Sequence, residues 1–346
     1  MSPGPTAAQR SAETVDVRGA PPVPGLRFRH YRGPEDLPGM LEAFHAANEA
    51  DGSDEVQTLA GMENTYAHLT NSDPDRDILV FEVDGRIAGY SRRYWAELND
   101  GGRSYECFGF LRPEWRRRGI GTAVLRWNEA GLREIAVSHG DIGAKWLSSG
   151  ALDTAAGTVA LLRNAGYEPV RYGYDMVRPT LDDIPDAPLP DGLELRPVSP
   201  EQLRRIWQAD VEAFRDHWGE HDESEESYEH IVNSPATDLS LWQVVWDGDE
   251  VAGLVWNSID AAGNLRFGRS RGWLDSVAVR RPWRRRGLAR ALIAASLRVL
   301  RDRGMTSAGL GVDTENPSGA LRLYESLGFK PVRRFTSFRK PVTSRP

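Results

Sequence analysis

The chain has 346 residues, too many for one ordinary hydrophobic core and comfortable for two. Hydrophobic residues make up 40% and charged residues 27%, the balance of a globular protein in water. A formal charge of −7 argues against a general nucleic-acid binder, whose phosphate contacts need broad excess positive charge.

Residues 1–24 are rich in Pro, Gly, Ala and Ser and read as a disordered tail without a charged-then-apolar leader, so a cytoplasmic location is expected. Order is predicted to begin at the alternating strand Gly25-Leu26-Arg27-Phe28-Arg29. A helix carrying Glu42-Ala43-Phe44 follows, then a hairpin over 79–89 turning at Asp84-Gly85. The single cysteine, Cys107, permits no disulfide within the chain and reads as a buried core thiol. Phe110-Leu111 then leads into Arg112-Pro-Glu-Trp-Arg-Arg-Arg-Gly-Ile-Gly121, with the helical residues Val124 and Leu125 beyond. This stretch closes with Gly166-Tyr167-x-Pro-Val.

A Pro- and Asp-rich linker at 181–191 separates an N-terminal domain, 25–180, from a C-terminal one, 192–346. The second half repeats the markers of the first in the same order. Gly192-Leu193-Glu194-Leu195-Arg196 matches the first strand, Glu212-Ala213-Phe214 the helix, and 242–253 the hairpin, turning around Asp247-Gly248. Arg281-Pro-Trp-Arg-Arg-Arg-Gly-Leu-Ala289 repeats the basic loop, and Gly328-Phe329-x-Pro-Val repeats the close. Five markers in one order mean a duplicated α/β domain.

Each basic loop stands between a predicted strand and a helix. Trp273 to Val279 reads as a buried strand, and Ala289, Leu292, Ile293, Leu297 and Leu300 give a helix one apolar face. Free backbone N–H groups and a positive helix end face such a loop, and glycine permits close approach, so the pattern fits a pyrophosphate. The apolar run Ala291 to Leu297 is far shorter than the roughly 20 residues that span a bilayer. No His/Cys/Asp spacing points to a metal.

Arg116-x-x-Gly119-x-Gly121 and Arg284-x-x-Gly287-x-Ala289 resemble the signature of the GNAT superfamily of acyl-CoA-dependent N-acyltransferases. Val312-Asp313-Thr314-Glu315-Asn316 and Ala320-Leu321-x-Leu323-Tyr324-x-x-Leu327-Gly328-Phe329 resemble its downstream stretch. The paired arrangement is similar to tandem members such as mycothiol synthase and acetyltransferases of antibiotic-biosynthesis clusters. The resemblance implies an α/β (α+β) fold of two tandem GNAT domains, each a mixed, mostly antiparallel twisted sheet with flanking helices. It implies acetyl-CoA, or another short acyl-CoA, lying where the fourth and fifth strands splay apart. Its binding residues in the second half would be Val277, Ala278, Val279, Arg284, Arg285, Arg286, Gly287, Leu288, Ala289, Asn316 and Tyr324. Those of the first would be Leu111, Arg116, Arg117, Arg118, Gly119, Ile120 and Gly121.

Acyl transfer to an amine requires loss of the amine proton, donors for the oxyanion and a proton for the leaving thiolate. The resemblance gives Tyr324 the last task; packing beside Leu321, Leu327 and Phe329 is the structural alternative. Alignment places Leu162 opposite Tyr324, Thr154 opposite Asn316 and Cys107 opposite Asp275, so the first half lacks both the phenol and a candidate base. By alternation Asp275 shares a face with Val277 and Val279, where it either accepts the amine proton or binds the substrate cation. Phe214, Asp216 and Trp218, with the acidic run from Asp222 to Glu226, are candidates for binding a cationic acceptor; the run reads equally as a helix cap. The expectation is an N-acetyltransferase for the primary amine of a small metabolite, working by direct transfer in a ternary complex, as a monomer or homodimer without nucleic-acid or membrane partners. The C-terminal domain would be the catalyst and the N-terminal one a non-catalytic copy able to hold acyl-CoA. The rivals are an acyl-CoA-binding sensor without turnover and a protein N-terminal or lysine acetyltransferase.

Overall fold

The structure, a computed structural model, describes residues 14–140, 143–316 and 318–342. Two compact units divide it: residues 1–170 with 337–346, and residues 171–336. The units therefore part ahead of the expected 181–191 linker, whose residues Leu181, Ile184 and Leu189 belong to the core of the second unit. Residues 337–342 pack with the first unit.

In the first unit the elements are β1 (Leu26–His30), α1 (Leu37–Ala50), α2 (Leu59–Ala67), α3 (Pro74–Asp77), β2 (Ile78–Val83), β3 (Arg86–Leu98), β4 (Arg103–Leu111), α4 (Ile120–Ser138), β5 (Lys145–Leu152) and α5 (Ala156–Asn164). Strand order is β1-β2-β3-β4-β5, antiparallel except for the β4–β5 pair. Asp84 (φ 50°) and Gly85 (φ 78°) make the tight β2–β3 turn in the left-handed region. Strand β6 (Glu168–Arg178) starts at the end of this unit and continues into the second.

The second unit contains β7 (Glu194–Arg196), α6 (Leu203–Phe214), β8 (Glu220–His221), α7 (Glu225–Val232), β9 (Gln243–Asp247), β10 (Glu250–Ser258), α8 (Ala261–Phe267), β11 (Arg271–Val279), α9 (Leu288–Asp302), β12 (Ser307–Asp313) and α10 (Ala320–Ser326). Its order β7-β9-β10-β11-β12-β6 reproduces the first sheet, again with one parallel pair, β11–β12. Strand β13 (Lys330–Pro341) begins here and ends in the first unit, where Phe338, 1% exposed, joins Tyr105, Leu132, Leu147 and Tyr167 in the core. Each unit is thus a mixed, mostly antiparallel sheet with flanking helices.

The shared Glu-Ala-Phe marker has a structural reason. Arg112 donates to Glu42 at 2.6 Å and Arg280 to Glu212 at 2.9 Å, fixing the start of each basic loop to the first helix. The expected tail is a different matter. Residues 1–13 lie outside the described residues, but 14–24 are packed: Val15 N–H donates to Phe28 O at 2.8 Å, Val17 is 3% exposed, and Val15 and Val23 lie against the cluster of Phe28, Ile120 and Val124. Three valines supply enough apolar surface to hold an otherwise Pro- and Gly-rich segment in place.

Candidate active site

The two basic loops have one backbone. Each opens with a single 3₁₀ turn, Pro113–Trp115 or Arg281–Trp283, followed by an extended arginine, Arg116 (φ −69°, ψ 161°) or Arg284 (φ −66°, ψ 156°). Arg117 and Arg285 then both sit at φ 62°, a conformation non-glycine residues adopt at a cost, and Gly119 and Gly287 both at φ 87°. Helices α4 and α9 start immediately after, so their first N–H groups face the loop.

The signature arginine is a strut. Arg284 donates to Val279 O at 2.9 Å, Ala213 O at 3.0 Å and Asp216 Oδ2 at 2.7 Å. Arg116 repeats this with Leu111 O at 3.1 Å, Ala47 O at 3.2 Å and Asp51 Oδ1 at 2.6 Å. Asp216 also binds Arg281, and the two guanidinium groups hold its carboxyl well below the usual carboxylate range. Its place among acceptor-binding candidates is therefore taken by a loop-anchoring role, which neither carboxylate oxygen leaves free. Backbone groups and the exposed Arg285 and Arg286 remain for an anion at the second loop, with Leu288 buried and Ala289 half-buried beneath it. At the first, Arg117 is exposed, Arg118 lies 4.8 Å from the Trp115 ring centre, and Gly121 follows the buried Ile120.

What lies against the loops differs. A Cβ built on Gly287 would meet no atom within 4 Å, whereas one on Gly119 would meet Pro21 Cβ at 3.5 Å. Pro21 of the packed N-terminal segment thus touches the edge of the first loop, although Gly119 and Gly287 are both exposed.

Both parallel pairs splay. Pairing of β11 with β12 runs from Arg271–Ser307 to Leu274–Leu310, although the strands continue to Val279 and Asp313. That of β4 with β5 ends at Glu106–Ser148, short of Leu111 and Leu152. The next residue on β5, Ser149, donates its hydroxyl across the opening to Cys107 O at 2.8 Å, while its counterpart Gly311 leaves open space.

One irregularity separates the units. In the second, Trp256 faces Ser276 but Asn257 faces Leu274, so Asp275 is an extra residue, a bulge, at the point where β11 leaves β12. The bulge breaks the alternation by which Asp275 would share a face with Val277 and Val279. In the first unit β3 and β4 pair without a shift through Cys107. Asp275 is open to solvent yet walled in by the chain, and this thinned hydration raises its carboxyl above the usual range, against a bond from Ser258.

Tyr324 on α10 is 6% exposed, edge-on to Phe329 with centroids 6.1 Å apart, in one cluster with Leu274, Leu310 and Val312. Burial pushes its phenol up to about 12, so it carries its proton at neutral pH. Leu162, its counterpart, is fully buried near Cys107, whose thiol burial likewise pushes up to about 12. Asn316 Nδ2 lies 3.1 Å from His217 Nε2, and His217 packs against Phe214 at 4.5 Å between ring centres. Trp218, 37% exposed, lies 5.4 Å below the Arg171 guanidinium, which Asp313 and Glu315 hold. The acidic run opens α7, with Ser224 accepting from Ser227 N–H as its cap. Among the described residues no group of three or more His, Cys, Asp or Glu side chains could hold a metal, and no helix is long and apolar enough to cross a membrane.

Two α/β sheets, each with a splayed parallel pair and an anion loop at the next helix, define a tandem acyl-transfer fold. The sequence matches the Acetyltransferase (GNAT) family over residues 38–150 and 203–329, and the chain belongs to that family. It is an acyltransferase of a group that uses acyl-CoA such as acetyl-CoA. It is 32% identical over 303 residues to a mycothiol acetyltransferase of Thermobispora bispora, covering 86% of this chain and 93% of the relative. A GCN5-related N-acetyltransferase from Sphaerobacter thermophilus superposes with a TM-score of 0.67 at 26% identity, covering 93% of this chain and 96% of that one. The tandem GNAT protein from the clavulanic acid biosynthesis pathway gives 0.63 at 18% identity, covering 93% and 100%, a likeness of fold.

Proposed function

We propose that the protein transfers an acetyl group from acetyl-CoA to the primary amine of a small molecule, and that the second domain does the chemistry. The observation carrying this reading is the open anion loop at Gly287 and the bulged wedge in the same domain as a protonated phenol, Tyr324. The first domain has Pro21 against its loop glycine, an unbulged strand and Leu162 at the matching places. The name of the Thermobispora bispora relative supports a small-molecule acceptor.

The amides of the loop from Arg285 to Ala289 would hold the pyrophosphate at the α9 N-terminus. Arg280 N–H donates to Ala252 O on the β10 side, so by alternation the N–H groups of Val277 and Val279 turn to the wedge and would orient the thioester arm. Tyr324 would give its phenolic proton to the departing thiolate. The test is free-thiol release from acetyl-CoA against a panel of small amines and peptides, using the full chain. Thiol release with a small amine supports the reading. Acetyl-CoA binding without release marks a sensor, and release with peptides alone marks a protein acetyltransferase.

A further inference from the structure

Asp210 is an acidic group that no motif of the chain accounts for. It sits half-buried on α6, the helix packed against β10 and β11 whose Ile206, Ala209 and Ala213 cluster with Leu254 and Ala278. Its carboxyl accepts a 2.5 Å hydrogen bond from the Ser276 hydroxyl. Ser276 directly follows the bulged Asp275 and precedes Val277, in the stretch of β11 that has already left β12. Cross-strand from it, the indole N–H of Trp256 is buried with no acceptor among the described residues. The site thus holds a donor that no described residue uses.

The duplicated fold supplies its own control. Asp210 stands two residues before Glu212 in the Glu-Ala-Phe marker; Met40, fully buried, stands two before Glu42. Ser276 faces Trp256 where Phe108 faces Arg92. The same architecture therefore closes this layer with a methionine and a phenylalanine, and its packing does not call for a carboxyl. Burying one is unfavourable. Loss of water pushes the Asp210 carboxyl up to about 7, against the opposing bond from Ser276. Three acids on this or neighbouring elements are engaged with arginines: Glu212 and Glu250 with Arg280, Glu225 with Arg204. Beyond these, α7 brings Glu226, Glu229 and His230, and β11 brings Arg271 and Asp275.

We infer that Asp210 takes the proton of the acceptor's ammonium group through the Ser276 hydroxyl, so that the second domain selects an amine that arrives as a cation. This rests on the acyl-transfer reading above. The ammonium gives one proton to Ser276 Oγ as the Ser276 proton passes to Asp210. The freed nitrogen lone pair forms the C–N bond to the thioester carbonyl carbon, and the C–S bond breaks with its electron pair on sulfur. Tyr324 protonates that sulfur, the second nitrogen proton restores the phenol through water, and Asp210 returns its proton to solvent. Asp275, at the mouth of the wedge, stabilises the approaching cation.

The decisive variant is Asp210→Met, which installs the residue of the first domain. It should fold and melt no lower than wild type, with a gain that grows between pH 4 and pH 8, because a raised carboxyl destabilises the fold progressively as pH rises through its value. Its kcat should fall about 10²–10⁴-fold, with acetyl-CoA affinity by calorimetry unchanged. In wild type kcat/KM should fall on the acid side near pH 7; Asp210→Asn should abolish that limb, Asp210→Glu restore part of it, and Ser276→Ala lower kcat. Asp275→Asn should keep the limb and raise the amine KM. Retention of rate and acid limb in Asp210→Met or Asp210→Asn overturns the assignment, as does a lower melting temperature in Asp210→Met, the sign of a structural carboxyl. A wild-type chain that releases no thiol with any amine removes the acyl-transfer reading itself, and this inference with it.

Discussion

The loops at Gly119 and Gly287 share backbone angles to within a few degrees, the same arginine strut and the same place before a helix, yet Pro21 lies against the first while no described residue meets the second. Backbone shape is thus a weak guide to which copy works. The side chains set against that shape differ systematically: Pro21 against open space, Ser149 against Gly311, Leu162 against Tyr324, Met40 against Asp210. Each change makes the first copy more closed or more apolar. The two copies keep one scaffold and differ in the side chains set on it.

The largest expected effect comes from placing a carboxylate in the open loop. Gly287→Glu should raise the acetyl-CoA Kd at least about 100-fold in calorimetry, since it adds a like charge beside the phosphates and strains a backbone at φ 87°. Gly119→Glu should leave turnover unchanged. If the first-loop variant is the one that stops turnover in a folded protein, the roles of the domains are reversed.

Next is Tyr324→Phe, which keeps ring packing and removes the proton. Its kcat should drop about 10²–10⁴-fold at unchanged acetyl-CoA affinity. Near-normal kcat, with chemistry shown to be rate-limiting, would leave this side chain a packing role. Leu162→Tyr should create no activity in the first domain, where Cys107 and Thr154 still stand in place of Asp275 and Asn316.

The contact of Pro21 with the first loop gives a third comparison. Removing residues 1–24 takes Pro21 from beside Gly119 and should add a second, weaker acetyl-CoA binding event to the calorimetric titration, while turnover stays the same. A single event before and after removal means that Ser149 and the apolar first wedge close the site without help from the segment.

The smallest effect is on stability. Asp216 is held below its ordinary range by Arg281 and Arg284, so it contributes above the unfolded carboxylate value near 4 and the contribution is lost as pH falls through the lower folded value. Asp216→Asn should lower Tm at pH 7 by roughly 2–4 °C, about 1 kcal/mol for a partly exposed pair. The gap should close in strong acid, and a gap that persists there points to packing instead of charge.

Much of this was legible in the chain. The five markers fixed two copies in the right order, and the position of both anion loops followed from glycine and arginine spacing. The function of the arginines did not: a guanidinium in a basic loop looks like an anion ligand until Asp216 and Asp51 are seen to hold it. The bulge at Asp275 was beyond reach, because it is a property of two strands in register and leaves no local trace. Asp210 leaves no local signal, because one acid on an amphipathic helix reads as its solvated face. The packing of residues 14–24 had a faint signal in Val15 and Val17, two apolar residues at strand spacing within a biased composition.

Phe338, buried in the core of the first unit, is synthesised after the whole of the second unit. Domains of a nascent chain usually complete folding in order of synthesis. Here the first unit lacks a core aromatic, a deficit of the order of 3–5 kcal/mol by analogy with a large-to-small replacement, until the second unit has been made. The N-terminal half must wait, exposed to chaperones and proteases, and a ribosome that stalls before Phe338 holds a chain whose first unit is the unstable one.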